Sequence, residues 1–439
     1  MMARTVKDIF SLLKNLDFLF LWVSQVISQF GDKLNQMALV AWVYVIMPGS
    51  SFQMAKLIFF TIIPVFLIGP FAAAAVDRLD NRKTMYICDL LRSVSVIAIP
   101  VFILPGKLIL PVYIIVFISF CLSRLFVPAK MSIVPEIVER ENLMLANSLL
   151  SLTGIIAAMF GFGIGGILVQ HIGPKGGFII DGITFLISGV FIYLIGIKYK
   201  PKDVSIGEEA RGLFSAIKNV FDYVFKGAIA NDIKEGIVYL GQSKDLMSLS
   251  KVLFVLWGLL GGIYATGIVF VQKTLGSATG DLGMIVVFLA AGLFIGSLVF
   301  GGMLANADRL RTIYISLFFV SVILAGFALF LPVIRRFFAA SGFAFLMGFA
   351  ASPIVLVSQT LIHESSHNKM RGRMFGTIEV IVHLAFIIAM LASSLIAEVI
   401  TERYVILTWA GFGIFTSIFS LFFHRPELCD KVGERVMRH

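Results

Sequence analysis

Twelve apolar stretches, set apart by charged or Pro/Gly-bearing breaks, constrain this chain more than any other feature. They cover 17–47, 54–76, 84–104, 108–130, 143–170, 177–197, 252–272, 282–305, 312–332, 336–362, 373–400 and 404–423. About 20 apolar residues cross the roughly 30 Å hydrocarbon core of a bilayer as a helix. In lipid the backbone must satisfy its own hydrogen bonds, which a helix does within one segment. Composition agrees: 59% of residues are hydrophobic and 14% charged, more apolar than the roughly half expected of soluble domains. The expected fold class is all-α, a polytopic membrane protein.

The stretches fall as six, a polar connector, and six more. The expected organisation is a bundle over 1–197, a connector over 198–250, a second bundle over 251–423 and a tail over 424–439. An internal echo suggests two pseudo-symmetric six-helix bundles: "TMYI" opens the third stretch at Thr84 and "TIYI" the ninth at Thr312. "VPAK" from Val127 has its counterpart in "SPIV" from Ser352. In the connector, Leu213, Ile217, Val220, Phe221 and Val224 recur at helical spacing with Lys218 and Lys226 between them. That pattern fits an amphipathic helix on the membrane surface or an ordinary solvated linker helix.

The net charge of +10 raises nucleic acid as a partner, but the placement of the charges argues for topology instead. With alternate loops assigned to alternate sides, the side holding both termini carries 26 Lys and Arg and the other side 7. Such a bias places both termini in the cytoplasm, with lipid headgroups as secondary partners. The first stretch is too long and too charged for a cleaved signal peptide. Cys88, Cys121 and Cys429 lie too far apart in sequence for a disulfide framework or a CxxC metal site.

One stretch breaks the apolar rule. "SQVISQFGDKLNQMALV" places Gln25, Gln29, Asp32 and Gln36 on one helical face, with Ser28 and Asn35 at its edge. Asp32 lies 14 residues past Phe18, about 21 Å along the axis and so deep in the membrane. An ionised group there costs about 2.5 kcal/mol or more unless it faces protein or water. The stripe is therefore expected to line a substrate path. Arg124, in the fourth stretch, is the expected partner of Asp32, with Lys33 assisting. A carboxyl held between burial and a neighbouring guanidinium suits proton coupling; a static pair that merely orients helices is the alternative. Glu379 and His383, one turn apart in the eleventh stretch, are second candidates for binding a proton or cation.

"GFGIGG" (161–166) has no strand before it and no acidic residue at dinucleotide spacing, so a nucleotide site is rejected. Gly161, Gly165 and Gly166 instead offer a small face on which another helix can pack. "HESSH" (363–367) has the spacing of a zinc protease motif. It falls in a polar connection rich in Ser and Asn, where chance is the better explanation, and no metal or cofactor is expected.

The loop "DRLDNRK" (77–83) resembles the signature loop of the major facilitator superfamily, in the form found in its bacterial drug/proton antiporter, macrolide-efflux-like branch. "DLLRSV" from Asp89, "PAKMSIVPEIVERENLMLANSL" from Pro128 and "RGRMFG" from Arg371 resemble further segments of that branch, in order. The resemblance implies a non-enzymatic transporter working by alternating access. It further implies proton-coupled export of amphipathic small molecules, a monomer, and a cytoplasmic membrane location. It also implies a cytoplasmic gate made by Asp77, Arg78, Arg82, Lys83, Asp89 and Arg92. Asp80 and Asn81 depart from the usual signature. "GFGIGG" resembles the family's antiporter motif, with Phe162 in place of its Pro. "PAK" followed by "VPE" also resembles lysophospholipid transporters, which keeps a lysolipid flippase as the rival.

Overall fold

A computed structural model describes residues 9–76, 79–103, 109–196, 244–303, 308–364 and 371–423. It is all-helical over these residues, and eleven long helices carry the chain. They are α1 (Leu16–Ile46), α2 (Ser51–Val76), α3 (Asn81–Ile103), α4 (Ile109–Ile137), α5 (Leu143–Tyr193), α6 (Lys244–Leu275), α7 (Gly280–Met303), α8 (Arg309–Ile334), α9 (Phe337–Glu364), α10 (Arg371–Val399) and α11 (Glu402–Phe423). α5 holds 51 residues, about 76 Å if straight and so enough for two crossings. Its axis breaks at Gly173, where φ is +74°, and Pro174 follows with no N–H to give to the preceding turn. The two arms of α5 bring the helical segments to twelve.

Polar side chains fix several of the helix starts. The Asn15 carboxamide oxygen accepts from the backbone N–H of Asp17 and of Phe18 at the head of α1. Asp80 accepts from the Lys83 N–H below α3 and Asp308 from the Arg311 N–H below α8. Such caps satisfy amides that the first turn leaves open. Ten of the eleven helices contain a window apolar enough to cross a membrane. The exception is α1, which carries the polar stripe. Large apolar side chains on the outer surface, among them Val94, Leu110, Phe160, Val190, Leu298, Phe330 and Phe422, are exposed. A multi-pass membrane protein accounts for them, because lipid rather than water covers such faces.

The chain divides into two compact units, one of Met1–Ile46 with Leu57–Ile229 and the other of Met47–Lys56 with Ala230–His439. In the first, α1 packs on α5, and α3 packs on α4 and α5, over a core that includes Phe18, Leu21, Met85, Ile133 and Ile192. In the second, α6 packs on α10, α7 on α9, and α8 on α9 and α11, over Val252, Leu256, Ile313, Val357 and Val382. Most of the connector, with its proposed amphipathic helix, and the tail lie outside the described residues. α6 begins at Lys244, earlier than the apolar stretch suggests.

The first turn of α2 belongs to the second unit. Glu398 of α10 accepts from the Ser50 hydroxyl at 2.7 Å and from the Phe52 N–H at 3.0 Å. Glu402, buried at the head of α11, accepts from Ser51 at 3.3 Å and pairs with Lys273 of α6 at 2.7 Å. Glu398 and Lys56 look in sequence like interfacial end residues. Glu398, at the end of α10, also caps the start of α2, and Lys56 lies over the Phe52 ring at 4.3 Å.

Candidate functional site

The polar stripe of α1 lies within the first unit, against α3 and α5. Gln25, Ser28 and Asn35 are buried, while Gln29, Asp32, Lys33 and Gln36 are partly exposed. The face divides because α5 covers one flank of it. Gln29 donates to Gln25 at 3.4 Å. One turn earlier the Trp22 indole N–H donates to Thr153 on the first arm of α5 at 2.8 Å. The small-residue face of that arm lies against α1: Cβ atoms on Gly154, Gly161 or Gly165 would meet Gln29, Lys33 or Leu34. Gly166 is buried beside them. Lys33 reaches over the ring of Phe162 at 5.0 Å, the residue that replaces the proline of the antiporter motif.

Asp32 is paired with Arg92 of α3, whose Nη2 donates to Asp32 Oδ1 at 2.5 Å. Arg92 is 6% exposed and lies over the ring of Phe185, on the second arm of α5, at 3.8 Å. Its Nη1 is 3.9 Å from Asp89 one turn back. The Ser188 hydroxyl donates to Asp89 at 2.6 Å, and Ser93 to the Gly182 carbonyl at 2.6 Å. Arg92 is thus held by two carboxylates and an aromatic face, an arrangement that suits a planar guanidinium better than an ammonium.

These positions redraw the sequence grouping. Asp89 and Arg92, expected with the cytoplasmic gate, lie 8 and 11 residues beyond the start of α3, about 12 and 16 Å further along, and join Asp32 instead. Arg124, the expected partner, is on α4 one turn after Cys121. Of the gate loop, Arg82 donates to the Ile195 carbonyl at 2.7 Å and lies over Tyr193. Lys83 is 3.9 Å from Asp80. Asp77 and Arg78 lie outside the described residues. Glu379 and His383 sit on α10, the His383 ring 5.3 Å from Trp257 of α6. His363 and Glu364 end α9, and His367 lies outside the described residues.

Asp181 is the residue that sequence reasoning missed. It is fully buried on the second arm of α5, within electrostatic reach of Asp32 and Arg92. A lone acid in the stretch 177–197 was the available signal. Helix α1 comes close enough to touch it because residue 31 is glycine. A methyl at that position would overlap Thr184 and crowd Asp181 Oδ1.

Twelve helical segments in two compact units, with ten of the eleven helices apolar enough to cross a membrane and a charged cluster buried in the first unit, fit a polytopic transporter of the secondary-active kind. A family model described as Major Facilitator Superfamily matches residues 21–344 and 252–434, and the chain belongs to that superfamily. It is 27% identical over 383 residues to the MFS-type transporter YkuC of Bacillus subtilis, across 84% of this chain and 82% of that one. It is 22% identical over 352 residues to BacE of Bacillus subtilis, which is named for bacilysin export, across 80% and 81% of the two chains. Among solved structures it resembles a bacterial homologue of the iron transporter ferroportin, with a TM-score of 0.68 and 14% identity over 92% of this chain and 98% of that one. It also resembles the nucleoside transporter NupG, with a TM-score of 0.66 and 14% identity over 93% and 100%. One fold serving a metal carrier and a nucleoside carrier says nothing about the cargo here.

Proposed function

We propose that this protein is a proton-coupled exporter of amphipathic small molecules. It would work as a single chain by alternating access in a cytoplasmic membrane, with both termini inside. The observation that carries this reading is the Asp32–Arg92 pair on the polar stripe of α1. The Asp32 side chain is 30% exposed and that of Arg92 7%, so the carboxylate has an open side and a sealed side. A proton binding Asp32 from solvent removes the charge that Arg92 holds, and frees the guanidinium to re-pair. Such a change in a buried pair is large enough to bias a conformational equilibrium by several kcal/mol.

Cargo is inferred from the same face. Gln25, Gln29, Gln36 and Ser28 offer amide and hydroxyl groups, but the stripe has few fixed charges. That suits bulky, partly apolar molecules with a few polar groups better than phosphates or sugars. The distant likeness to an exporter-named relative is consistent with outward transport.

The test is counterflow and gradient-driven accumulation in proteoliposomes with three probes: a lipophilic cationic dye, a macrolide and a lysophospholipid. Accumulation of the dye or the macrolide only under an imposed proton gradient supports the proposal. Transfer of the lysophospholipid alone, independent of pH, replaces it with a flippase. Movement of none of the three overturns the cargo assignment.

A further inference from the structure

We propose that Lys33 and Lys130 form a binding site for the acidic group of a cargo molecule, beside the polar stripe of α1, so that the preferred cargo is an amphiphile carrying one carboxylate or phosphate ester. The inference rests on the exporter reading above and narrows its cargo by head-group charge.

Both lysines sit deep in their helices. Lys33 lies 17 residues after the start of α1 and 13 before its end, about 25 and 20 Å along the axis. Lys130 lies 21 residues into α4 and 7 before its end, about 31 and 10 Å along the axis. A lysine near a helix end turns its ammonium out to the interface along its own stem, but these distances exceed that stem. Both side chains are half-buried, and an ammonium at such depth is tolerated where it faces protein, water or a partner charge.

Their surroundings supply no anion in contact. The Lys33 stem runs past Gly161 on the first arm of α5, where a Cβ would meet the lysine Cβ and Cγ. Its ammonium stands 5.0 Å from the centre of the Phe162 ring. An aromatic face attracts the charge but leaves the three N–H groups to find lone pairs elsewhere. Among the described residues, neither Lys33 nor Lys130 donates a hydrogen bond or stands in an ion pair. Other cations differ: Arg92 has Asp32 and Asp89, Lys273 has Glu402, and Lys83 has Asp80.

Electrostatics gives the two lysines a common focus. Both lie within reach of Asp32, Lys33 from the next position of α1 and Lys130 from α4. Asp32 is already held in contact by Arg92, so one carboxylate is shared among three cations. A further anion beside Asp32 gives the two ammonium groups the partner that the chain does not. An ammonium is a compact charge with rotatable donors, and it forms charge-assisted hydrogen bonds with a carboxylate or a phosphate oxygen alike. Gln29 and Gln36, one turn to either side of Lys33, then take the neutral polar groups of a cargo whose acidic head is anchored at the lysines.

Binding to the full-length protein in lipid nanodiscs tests this, with a rhodamine bearing a free carboxylate and its ethyl ester as probes, read by fluorescence anisotropy against protein-free discs. The two dyes differ by one negative charge on the same ring system. The acid is expected to bind at least about tenfold tighter than the ester, the worth of one charge-assisted hydrogen bond. Lys33→Gln and Lys130→Gln are each expected to shrink that ratio, and the double variant to bring it to about one. Lys33→Arg and Lys130→Arg, which keep the charge, are expected to retain most of it. If the Gln variants do not fold, raising chloride with the unaltered protein serves: acid binding weakens several-fold and ester binding does not. Octanoate and octyl phosphate, as competitors, name the head group. Displacement of the acid dye by octanoate assigns a carboxylate, and displacement by octyl phosphate alone a phosphate ester. Equal binding of acid and ester, a ratio that survives in the double variant, or displacement by neither competitor overturns the inference. Preference for the acid without gradient-driven accumulation of any probe keeps this site and removes the exporter reading. Gradient-driven dye accumulation with equal binding of acid and ester does the reverse.

Discussion

At the scale of single residues, Arg92 holds the first unit's charged cluster together. Removing one member of a buried ion pair leaves the other without compensation, at about 3–5 kcal/mol. Arg92→Met is therefore expected to lower the thermal unfolding temperature in detergent markedly, because Asp32 and Asp89 both lose their cation. The double variant Arg92→Met, Asp32→Asn should recover part of that loss; a double variant no more stable than the single one would deny that the two are coupled. Gly31→Ala tests the close approach of α1 to α5. Overpacking there should cost about 1–3 kcal/mol, read by the same unfolding measurement, since the added methyl would overlap Thr184. Asp32 was legible in sequence because a lone acid deep in an apolar helix demands a partner. The identity of that partner was not. Arg92 follows a basic loop closely in sequence and so reads as part of that loop, whereas helical rise carries it away. Asp181 was overlooked because its stretch contains no motif, and only its neighbours from α1 and α3 give it meaning.

At the scale of helices, hydropathy located the spans because lipid imposes a length and an apolar content on each. It could not locate the ends, which depend on caps. The start of α2 is the clearest case: its first-turn amide at Phe52 is satisfied by Glu398, 346 positions away in the chain. Glu398→Ala is expected to destabilise this turn by about 0.5–2 kcal/mol, the usual worth of a cap, seen as faster amide hydrogen exchange over 50–54 with the rest of α2 unchanged. Uniform exchange across the whole helix would contradict it. Hydropathy separated 143–170 from 177–197 at the Gly-Pro-Lys-Gly break, and the backbone leaves the helical region there, at Gly173. The small-residue face of α5 was visible in sequence as spacing alone, and its partner, α1, only in three dimensions.

At the scale of the whole molecule, three helix pairings recur in both units. α1 against the first arm of α5 corresponds to α6 against α10, α3 against the second arm corresponds to α8 against α11, and α3 with α4 corresponds to α8 with α9. The short echoes at Thr84 and Thr312 mark α3 and α8, which take equivalent places in this scheme. The buried Asp–Arg–Asp cluster belongs to the first unit, and among the described residues the second unit holds instead the Lys273–Glu402 pair. Fold and family follow from pattern, since lipid makes pattern obligatory, while cargo depends on side chains that share no motif. The positive-charge bias predicts that a single cysteine placed in the tail, in a chain otherwise free of cysteine, reacts with an impermeant maleimide only after the inner face of the membrane is opened. Labelling of intact cells would reverse the topology. The central claim, that proton binding at Asp32 drives transport, is tested most directly by gradient-driven accumulation of the cationic dye in proteoliposomes carrying the unaltered protein or Asp32→Asn. The account predicts accumulation that follows the imposed proton gradient in the first and is absent in the second. Equal gradient-dependent accumulation by both would contradict it.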